Sequence, residues 1–355
     1  MTSDDQNQLT SEESPELLLT VSWNEGSVRM IDQTALPMRE DYLDLNSVDE
    51  VIAAIRRLSV RGAPAIGVAG AMGLALAATK CQDDDPTKLH SALVSEGARL
   101  GAARPTAVNL VWAIERSLAS VAAAVSAGAT AEEVRALTLR TAEEILAEDL
   151  ACSAALSRAG AAILPEEARV ITHCNTGGLA TAGGGTALGV VLEAARQGKR
   201  PFVYADETRP LLQGARLTAW ELQRAGVDYA VQCDGACAWT LATKKIDAVL
   251  VGSDRVAKNG DAANKIGTLA LAIAAKEYGV PFYIVAPRST FDFAVASGSE
   301  IPIEQRAREE VIRPFGDWIA PPEAEVFNPA FDVTPARLIR GWITERGVET
   351  PPFAS

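Results

Sequence analysis

The sequence predicts an α/β fold in which a doubly wound parallel sheet follows a smaller, mostly helical N-terminal part with a short β-hairpin. In the second half of the chain, short β-branched and aromatic runs alternate with helical patterns, which is typical of parallel strands joined by crossover helices. In the first half, long stretches rich in alanine and leucine indicate helices. A glycine-rich segment, 177–185, follows the first of the strand-like runs.

The first half contains one predicted hairpin and several predicted helices. The turn Asn24-Glu25-Gly26 separates two alternating runs, so a hairpin is predicted over 22–36. Ser47 and Glu50 have the spacing of a capping box, which predicts a helix over 47–58. Further helices are predicted after Arg61-Gly-Ala-Pro64, over 65–78, and over 106–124 and 131–164.

The second half contains the predicted sheet. Strands are expected over 169–172, 202–205, 229–232, 248–251 and 282–285. Helices are expected between them, including 217–225 and 268–278, and a last short helix over 335–345. Open α/β sheets bind ligands beyond the carboxyl ends of their strands. The polar residues at those ends are Cys174, Asp206, Asp234 and Asp254.

Three regions follow from this pattern. Residues 1–16 are polar and acidic, with no basic region before an apolar one, so we expect a disordered tail rather than a signal peptide. Residues 17–129 are expected to form the mostly helical N-terminal domain. Residues 130–355 are expected to form the C-terminal domain that contains the parallel sheet.

The composition excludes several classes of function. A net charge of −13 argues against a nucleic-acid partner, because such a site needs a basic face. No window approaches the roughly 18 to 20 uncharged apolar residues of a membrane span, so no membrane partner is expected. The five cysteines lack a disulfide-like spacing, which predicts a cytoplasmic protein. Cys233 and Cys237, four residues apart, are expected to be small apolar side chains on one helix face.

Cys174 is the first candidate catalytic residue. It stands at the end of a predicted strand, and five glycines follow it within eleven residues. Unpaired amides in such a loop, beside a helix N-terminus, attract anions. A reactive thiol needs a lowered pKa, which helix N-termini and nearby cations supply. A small buried cysteine is the alternative, and a dyad with His173 is not expected because adjacent strand residues point to opposite faces.

Asp254 also follows an apolar strand. Burial there can raise the pKa of a carboxyl group toward neutrality and suit it to general acid or base chemistry. A structural ion pair with Arg255 is the alternative. Asn264 and Lys265 are expected in the first turn of a helix, where an amide and an ammonium group can hold sugar hydroxyls and phosphate.

Other polar residues lie beside chain breakers at the edges of predicted elements. Guanidinium groups suit phosphate, which makes Arg61, Arg104 and Arg209 candidates. Gln213 opens a predicted helix and is a candidate ligand of hydroxyl groups. The glycine-rich segment fits neither the dinucleotide fingerprint nor the Walker pattern. With two histidines in the chain, most zinc sites and hydrolase triads are excluded.

Taken together, these strings resemble the methylthioribose-1-phosphate isomerase family of the methionine salvage pathway. They occur in family order from about residue 23 to residue 347. The matching strings are Ile31-Asp-Gln-Thr34, Arg61-Gly-Ala-Pro-Ala-Ile-Gly67, Arg104-Pro-Thr-Ala-Val-Asn109, Thr172-His-Cys-Asn-Thr-Gly-Gly-Leu-Ala-Thr181, Asp206-Glu-Thr-Arg-Pro210, Gln213-Gly-Ala-Arg-Leu-Thr-Ala-Trp220, Asn259-Gly-Asp-Ala-Ala-Asn-Lys-Ile-Gly-Thr268 and Asn328-Pro-Ala-Phe-Asp-Val-Thr-Pro335.

The resemblance implies a helical N-terminal domain on a Rossmann-like C-terminal domain, in a homodimer. It implies conversion of 5-methylthioribose-1-phosphate into 5-methylthioribulose-1-phosphate without a metal or nucleotide cofactor. In the family, the residues that match Cys174 and Asp254 are catalytic. The implied substrate contacts are Arg61, Gly62, Ala63, Arg104, Gln213, Asn264 and Lys265. An enediol route and a hydride shift both stay open.

Three departures from the family pattern keep other functions open. Ser253 stands where alanine is usual, the segment 233–239 replaces a stretch that contains Asn-Met, and Arg288 stands where a leucine-like residue is usual. An isomerase of 5-deoxyribose-1-phosphate is therefore one alternative. An isomerase of ribose-1,5-bisphosphate is another, with Arg288 as its candidate second cation. A non-catalytic regulator related to initiation factor 2B subunits is the alternative of another class, although such regulators generally lack the cysteine and aspartate together.

Overall fold

The computed structural model describes residues 18–104 and 107–353. The predicted disordered tail, residues 1–16, therefore lies outside the described residues. Five helices precede the main sheet: α1 (Val48–Arg56), α2 (Ala63–Lys80), α3 (Pro86–Gly101), α4 (Val108–Ser126) and α5 (Ala131–Ala161). Beside them, three short strands form an antiparallel sheet in the order β1-β2-β3: β1 (Val21–Asn24), β2 (Ser27–Ile31) and β3 (Tyr42–Leu45).

The predicted hairpin and first helix are confirmed. Glu25 and Gly26 have φ values of 45° and 87°, as a tight turn between β1 and β2 requires. Ser47 caps α1, and its Oγ accepts a hydrogen bond from Glu50 N at 3.3 Å. The Glu50 carboxylate accepts from Asn46 N at 2.6 Å, one residue before the expected partner. Strand β3 and helix α3 were not predicted.

Helix α2 is the centre of the helical part. Fourteen of its 18 residues are buried, and it packs against α1, α3, α4 and α5. Gly70 allows close contact with α4, because a Cβ there would lie 2.4 Å from Leu110 Cδ1. By length and composition, both α2 and α4 are apolar enough to cross a membrane, so the expectation that no window approaches a membrane span is wrong. The apolar composition of α2 follows from its burial in this core.

The second half contains eleven further strands: β4 (Arg169–Thr172), β5 (Phe202–Asp206), β6 (Asp228–Gln232), β7 (Ala248–Val251), β8 (Arg255–Ala257), β9 (Ala262–Lys265), β10 (Phe282–Val285), β11 (Phe291–Asp292), β12 (Phe331–Thr334), β13 (Gly341–Thr344) and β14 (Gly347–Glu349). Seven of them form the main sheet in the order β14-β13-β10-β7-β4-β5-β6. All its neighbours are parallel except β13 and β14. The five predicted strands are confirmed. From β4 the chain moves outward through β5 and β6, and it then returns to the other side at β7.

The helices of this half are α6 (Ala187–Arg196), α7 (Ala219–Arg224), α8 (Cys237–Thr243), α9 (Thr268–Glu277) and α10 (Glu309–Ile312). A π-helical turn, Gly214–Thr218, leads into α7. Cys233 and Cys237 were expected on one helix face, and this prediction is wrong. Cys233 is exposed ahead of a 3-10 turn that contains Asp234 and Gly235, whereas Cys237 is buried at the start of α8.

A smaller sheet, β11-β8-β9-β12, corrects the prediction for Asn264 and Lys265. Both residues end strand β9, which pairs with β8 and β12 and is buried at all four positions. They do not lie in the first turn of a helix, because Gly267 has a left-handed φ of 105° and α9 begins only after it. This places both side chains near the carboxyl end of a strand.

The predicted helix over 335–345 is wrong. A 3-10 turn at Ala336–Leu338 is followed by strand β13, which pairs with β10. All four residues of β13 are buried, as expected for a strand covered on both faces. A short apolar run of this kind does not distinguish a buried strand from a buried helix.

Helix α5 belongs to both hydrophobic cores. Its N-terminal half, including Val134 and Ile145, packs with the helices of the first part. Its C-terminal half, including Leu156, packs with the main sheet and α6. The helix begins just after the predicted boundary at 129 and 130 and packs with both parts, and that boundary stays a prediction.

Candidate active site

A cavity lies beyond the carboxyl ends of β4 and β7, where the strand order of the main sheet reverses. Open α/β sheets bind ligands at such points, because the loops that follow the two strands diverge there. Four predicted site residues reach it from the helical part and five from the sheet part. The nine residues are Arg61, Gly62, Ala63, Arg104, Cys174, Gln213, Asp254, Asn264 and Lys265.

Cys174 occupies a strained backbone position two residues after β4. Its φ is 65°, in the left-handed region that residues with a Cβ rarely adopt. Two hydrogen bonds hold it there: Cys174 N donates to Thr208 Oγ1 at 2.7 Å, and Thr218 Oγ1 donates to Cys174 O at 2.8 Å. The surrounding structure thus fixes the direction of the thiol into the cavity.

The thiol of Cys174 does not have the lowered pKa that a reactive cysteine was expected to have. Burial raises its pKa, and the neighbouring Asp254 adds to the effect. Arg61, Lys265 and the amide of Asn175 oppose this rise without reversing it. In the ligand-free cavity the side chain is therefore a neutral thiol.

Asp254 reaches the same cavity from the loop after β7. Its backbone N donates to Ala263 O at 2.9 Å, which ties the loop to β9. Burial raises the pKa of its carboxyl group, against the opposing charges of Arg104, Lys265 and Arg61. The expected rise is confirmed in direction. Its alternative partner, Arg255, pairs instead with Asp292 at 3.6 Å.

Arg61, Gly62 and Ala63 bring the start of α2 to the cavity. Among the described residues, no side chain caps this N-terminus, so its backbone amides and the positive end of the helix dipole face the cavity. Gly62 has a φ of 94°, and a Cβ there would lie 2.2 Å from Ala180 O. Only glycine permits this contact between α2 and the glycine-rich segment.

The cations of the cavity are held with few direct ion pairs. Burial lowers the pKa values of Arg61, Arg104 and Lys265, while neighbouring carboxylates raise them. Arg104 Nη2 lies 3.9 Å from Glu304 Oε2. A buried cation without a close counter-ion is stabilised most when an anion enters the cavity.

Asn264 and Gln213 supply neutral hydrogen-bonding groups. Asn264 Nδ2 donates to Thr268 Oγ1 at 3.0 Å, which fixes the amide plane. Gln213 Oε1 is buried and has no hydrogen-bond partner among the residues that the structure describes. A buried acceptor in this state is costly, and a ligand hydroxyl would satisfy it.

Most amides of the glycine-rich segment, 177–185, are paired within the protein and are not unpaired as was expected. Gly178 N donates to the carboxylate of Glu221 at 2.6 Å, and Ala182 N donates to that of Asp149 at 2.7 Å. The amides of Gly183, Gly185 and Thr186 bond to threonine oxygens within the segment. The segment does attract anions, but these are carboxylates of the protein itself.

The sequence of this chain matches those of known proteins over most of its length. The model of the Initiation factor 2 subunit family matches residues 59–351. A methylthioribose-1-phosphate isomerase from Desulforamulus reducens is 46% identical, with 94% of this chain and 96% of the relative covered. One from Gemmatimonas aurantiaca is 49% identical, with 94% of each covered. The chain belongs to the methylthioribose-1-phosphate isomerase family.

Two solved structures support the family fold. The 5-methylthioribose 1-phosphate isomerase from Pyrococcus horikoshii OT3 is 42% identical, with a TM-score of 0.90 and 95% of this chain and 94% of that chain covered. A protein from A. fulgidus described as translation initiation factor eIF-2B, subunit delta, is also 42% identical, with a TM-score of 0.86 and coverage of 94% and 96%. The α/β fold predicted from the sequence is confirmed.

The three departures from the isomerase family pattern lie in different surroundings in the structure. Ser253 lines the cavity, and its Oγ donates to Ala263 O at 2.9 Å. Residues 233–239 are not among those that line the cavity. The Arg288 guanidinium lies over three phenylalanine rings and beside Glu349. Arg288 does not line the cavity either.

Several residues of the cavity were not predicted. Arg306 lines it and donates to Glu304 at 2.8 Å and to Glu310 at 2.6 Å. A charged residue in an irregular segment carries no sequence signal that separates it from a solvated surface residue. Asn175 was adjacent to a predicted catalytic residue, and that adjacency was the available signal. Conversely, the candidate Arg209 lies outside the cavity lining and donates to Val311 O.

One cluster near the cavity has the composition of a metal site. The ligand atoms of His173, Asp206 and Asp234 lie within 4.8 Å of one another. His173 Nδ1 is 3.1 Å from Asp206 Oδ2, and its Nε2 is 2.8 Å from Ile266 O. Burial alone would lower the pKa of His173, but Asp206 outweighs it and raises the pKa. The cluster therefore links the ends of β4 and β5 through the hydrogen bond between His173 and Asp206.

Proposed function

We propose that this protein is an intramolecular aldose–ketose isomerase that converts 5-methylthioribose-1-phosphate into 5-methylthioribulose-1-phosphate in methionine salvage. The observation that carries this proposal is the meeting of Cys174, Asp254 and four cations, among them Arg61, Arg104 and Lys265, in one cavity at the reversal of strand order. The isomerases compared above match this chain over almost its whole length, which supports the same activity.

The binding residues fit a phosphorylated sugar. Arg61, Arg104 and Lys265 supply positive charge for the phosphate, and the uncapped start of α2, at Gly62 and Ala63, adds backbone amides. Gln213 and Asn264 are placed to hold hydroxyl groups. The polar groups therefore recognise the sugar and the phosphate.

Asp254 acts as the acid and base. Its carboxyl group donates a proton to the ring oxygen as the bond between that oxygen and C1 breaks. A hydrogen then moves from C2 to C1. As the carbonyl forms at C2, the hydroxyl on C2 returns a proton to the Asp254 carboxylate. The residue ends the cycle protonated, and the product is an isomer of the substrate.

Cys174 assists the migration of hydrogen between C2 and C1. Because burial raises the pKa of its thiol, a neutral group that stabilises the migrating charge fits this cavity better than a proton-shuttling thiolate. The low exposure of Cys174, at 8%, favours a hydride shift over an enediol, since it limits the access of water to the reacting carbons.

The remaining parts of the proposal concern assembly and location. We propose a homodimer in the cytoplasm that binds neither nucleic acid nor membrane. All five cysteines are free, which suits a reducing compartment, and the net charge of −13 disfavours nucleic acid.

The similarity to initiation factors favours a second candidate, a ligand-binding regulator. The A. fulgidus protein described as an eIF-2B subunit is as similar to this chain as the P. horikoshii isomerase is. Cys174 and Asp254 in one cavity favour the enzyme, because a binder has no need for a strained thiol beside an acid with a raised pKa. The bisphosphate alternative loses its candidate cation, since Arg288 contacts aromatic rings outside the cavity lining.

A substrate panel tests the proposal. Purified wild type and Cys174→Ser are mixed with methylthioribose-1-phosphate, 5-deoxyribose-1-phosphate or ribose-1,5-bisphosphate, and ketose formation is followed by phosphorus NMR. Preference for the thio-sugar, lost in the variant, supports the proposal. Preference for another sugar moves the reaction to another pathway. Absence of turnover on all three would favour the regulator.

A further inference from the structure

Glu221 is a buried carboxylate to which neither the catalytic nor the binding scheme assigns a role. It lies in α7, beneath the glycine-rich segment, and is 6% exposed. Its Oε1 accepts from Asn175 Nδ2 at 2.7 Å, and its Oε2 accepts from Gly178 N at 2.6 Å. Burial raises the pKa of its carboxyl group, and the hydrogen bonds from Asn175 and Gly178 together with the charge of Arg61 oppose that rise. A buried charge needs a compensating partner.

Asn175 connects this charge to Arg61. Its Oδ1 accepts a short hydrogen bond from Arg61 Nη2, and its backbone O accepts from Nη1 at 3.3 Å. The amide orientation is fixed from both sides, because its oxygen faces a guanidinium and its nitrogen faces a carboxylate. Arg61, Asn175 and Glu221 therefore form one chain of hydrogen bonds with a charge at each end.

The end of this chain reaches the catalytic thiol. The Arg61 guanidinium is within hydrogen-bonding reach of Cys174, and Gln33 Oε1 accepts from Arg61 Nε at 3.2 Å. Thr218, one turn before Glu221, holds Cys174 O. Gly177 provides space for the carboxylate, since a Cβ there would lie 2.3 Å from Glu221 Oε2.

We propose that Glu221 is a positioning residue of the active site, which holds the Arg61 guanidinium against the Cys174 thiol through the side chain of Asn175. This inference rests on the proposed function only for its consequence in catalysis. The chain of contacts is a property of the ligand-free protein and is measurable without turnover.

Glu221→Gln breaks the chain while preserving its volume. The new amide nitrogen faces the donor of Gly178 or that of Asn175, and the conflict is relieved when the Asn175 amide turns over. Its nitrogen then faces Arg61 and displaces the guanidinium from the thiol. Reaction of Cys174 with iodoacetamide, followed by peptide mass spectrometry from pH 7 to 10, should be about tenfold slower at pH 8. An unchanged or faster reaction overturns the proposal.

A paired exchange separates positioning from mere structural support. The paired variant combines Asn175→Asp with Glu221→Gln. The new carboxylate at position 175 accepts hydrogen bonds from Arg61 and from the new amide nitrogen at position 221. The oxygen of that new amide accepts from Gly178 N. The paired variant should restore the wild-type pH profile of alkylation. Neither single substitution should retain that profile. If Glu221→Gln does not fold, the paired variant decides alone. A paired variant with a displaced profile, or one that does not fold, overturns the proposal.

Asp149→Asn is the matched control. Asp149 is another carboxylate that accepts an amide of the same segment, from Ala182 N, and asparagine keeps that acceptor. We expect its alkylation profile to match wild type, and a profile displaced as far as that of Glu221→Gln would overturn the proposed route through Arg61. Alkylation needs no substrate, so the two proposals fail in different ways. If the isomerase proposal fails, the wild type shows no turnover, but the alkylation profiles of the variants are still those expected here.

Discussion

Asp254 carries a carboxyl group whose pKa is raised by burial above the ordinary value of 3.8. It therefore keeps its proton at pH values where an exposed aspartate has lost it. Because the proposed reaction begins with donation of that proton, kcat/KM for methylthioribose-1-phosphate should fall as the pH rises through the raised pKa. A profile of kcat/KM from pH 5 to 9 checks this, and a rise across that whole range would contradict the role of Asp254 as the initial acid.

At the same scale, the sequence predicts which residues meet but not their protonation. Cys174 and Asp254 both follow buried strands, and strand ends meet at one edge of a parallel sheet. The pKa of the thiol depends on the balance between burial and the charges of Arg61 and Lys265. That balance is set by distances between segments that are remote in sequence, so the expected lowering is wrong.

The contact between the start of α2 and the glycine-rich segment determines the element-scale geometry of the site. Gly62→Ala places a Cβ in a left-handed position and against Ala180 O. We expect a loss of about 1–3 kcal/mol of unfolding free energy and a higher KM, because the change displaces Arg61 and the uncapped helix end. Urea unfolding and steady-state kinetics measure the two effects.

Gly26→Ala is the control for this prediction. Gly26 also has a positive φ, of 87°, but a Cβ there would have no heavy atom within 4 Å. This variant should lose stability while retaining the wild-type KM. An unchanged KM in Gly62→Ala would contradict the account of the α2 contact.

Among the elements, two long helices and five strands were predictable, whereas the buried strands β9 and β13 and the irregular connections were not. The helices over 65–78 and 131–164 and the five predicted strands of the seven-stranded main sheet have strong patterns. Strand β9 was mistaken for a helix start, because Asn264 and Lys265 are polar and their burial comes from pairing with β8 and β12. The paired amides of the glycine-rich segment depend on Asp149 and Glu221, which lie elsewhere in the chain.

For the whole molecule, the cavity joins the helical part to the sheet part. Arg61 and Arg104 come from one side, and Cys174, Asp254 and Lys265 come from the other. A bound sugar phosphate should therefore stabilise both parts together. At a concentration of 100 times Kd, methylthioribose-1-phosphate should add about 2.7 kcal/mol to the free energy of unfolding of Cys174→Ser, which does not consume it.

Arginine variants in the Cys174→Ser background test this linkage by thermal unfolding. Arg104→Ala should lose most of the ligand-induced increase in Tm, because Arg104 lines the cavity. Arg209→Ala is the matched control, since its guanidinium donates to Pro210 O and Val311 O outside the cavity lining. Equal losses in the two variants would contradict the assignment of Arg104 to phosphate binding.

The measurement that tests the central claim most directly is turnover of methylthioribose-1-phosphate by wild type, Cys174→Ser and Asp254→Asn, followed by phosphorus NMR. We expect wild type to form the ketose phosphate, and each variant to bind the substrate, as judged by Tm, while turning it over at least about 100-fold more slowly. Turnover within tenfold of wild type in either variant would contradict the catalytic roles assigned to Cys174 and Asp254.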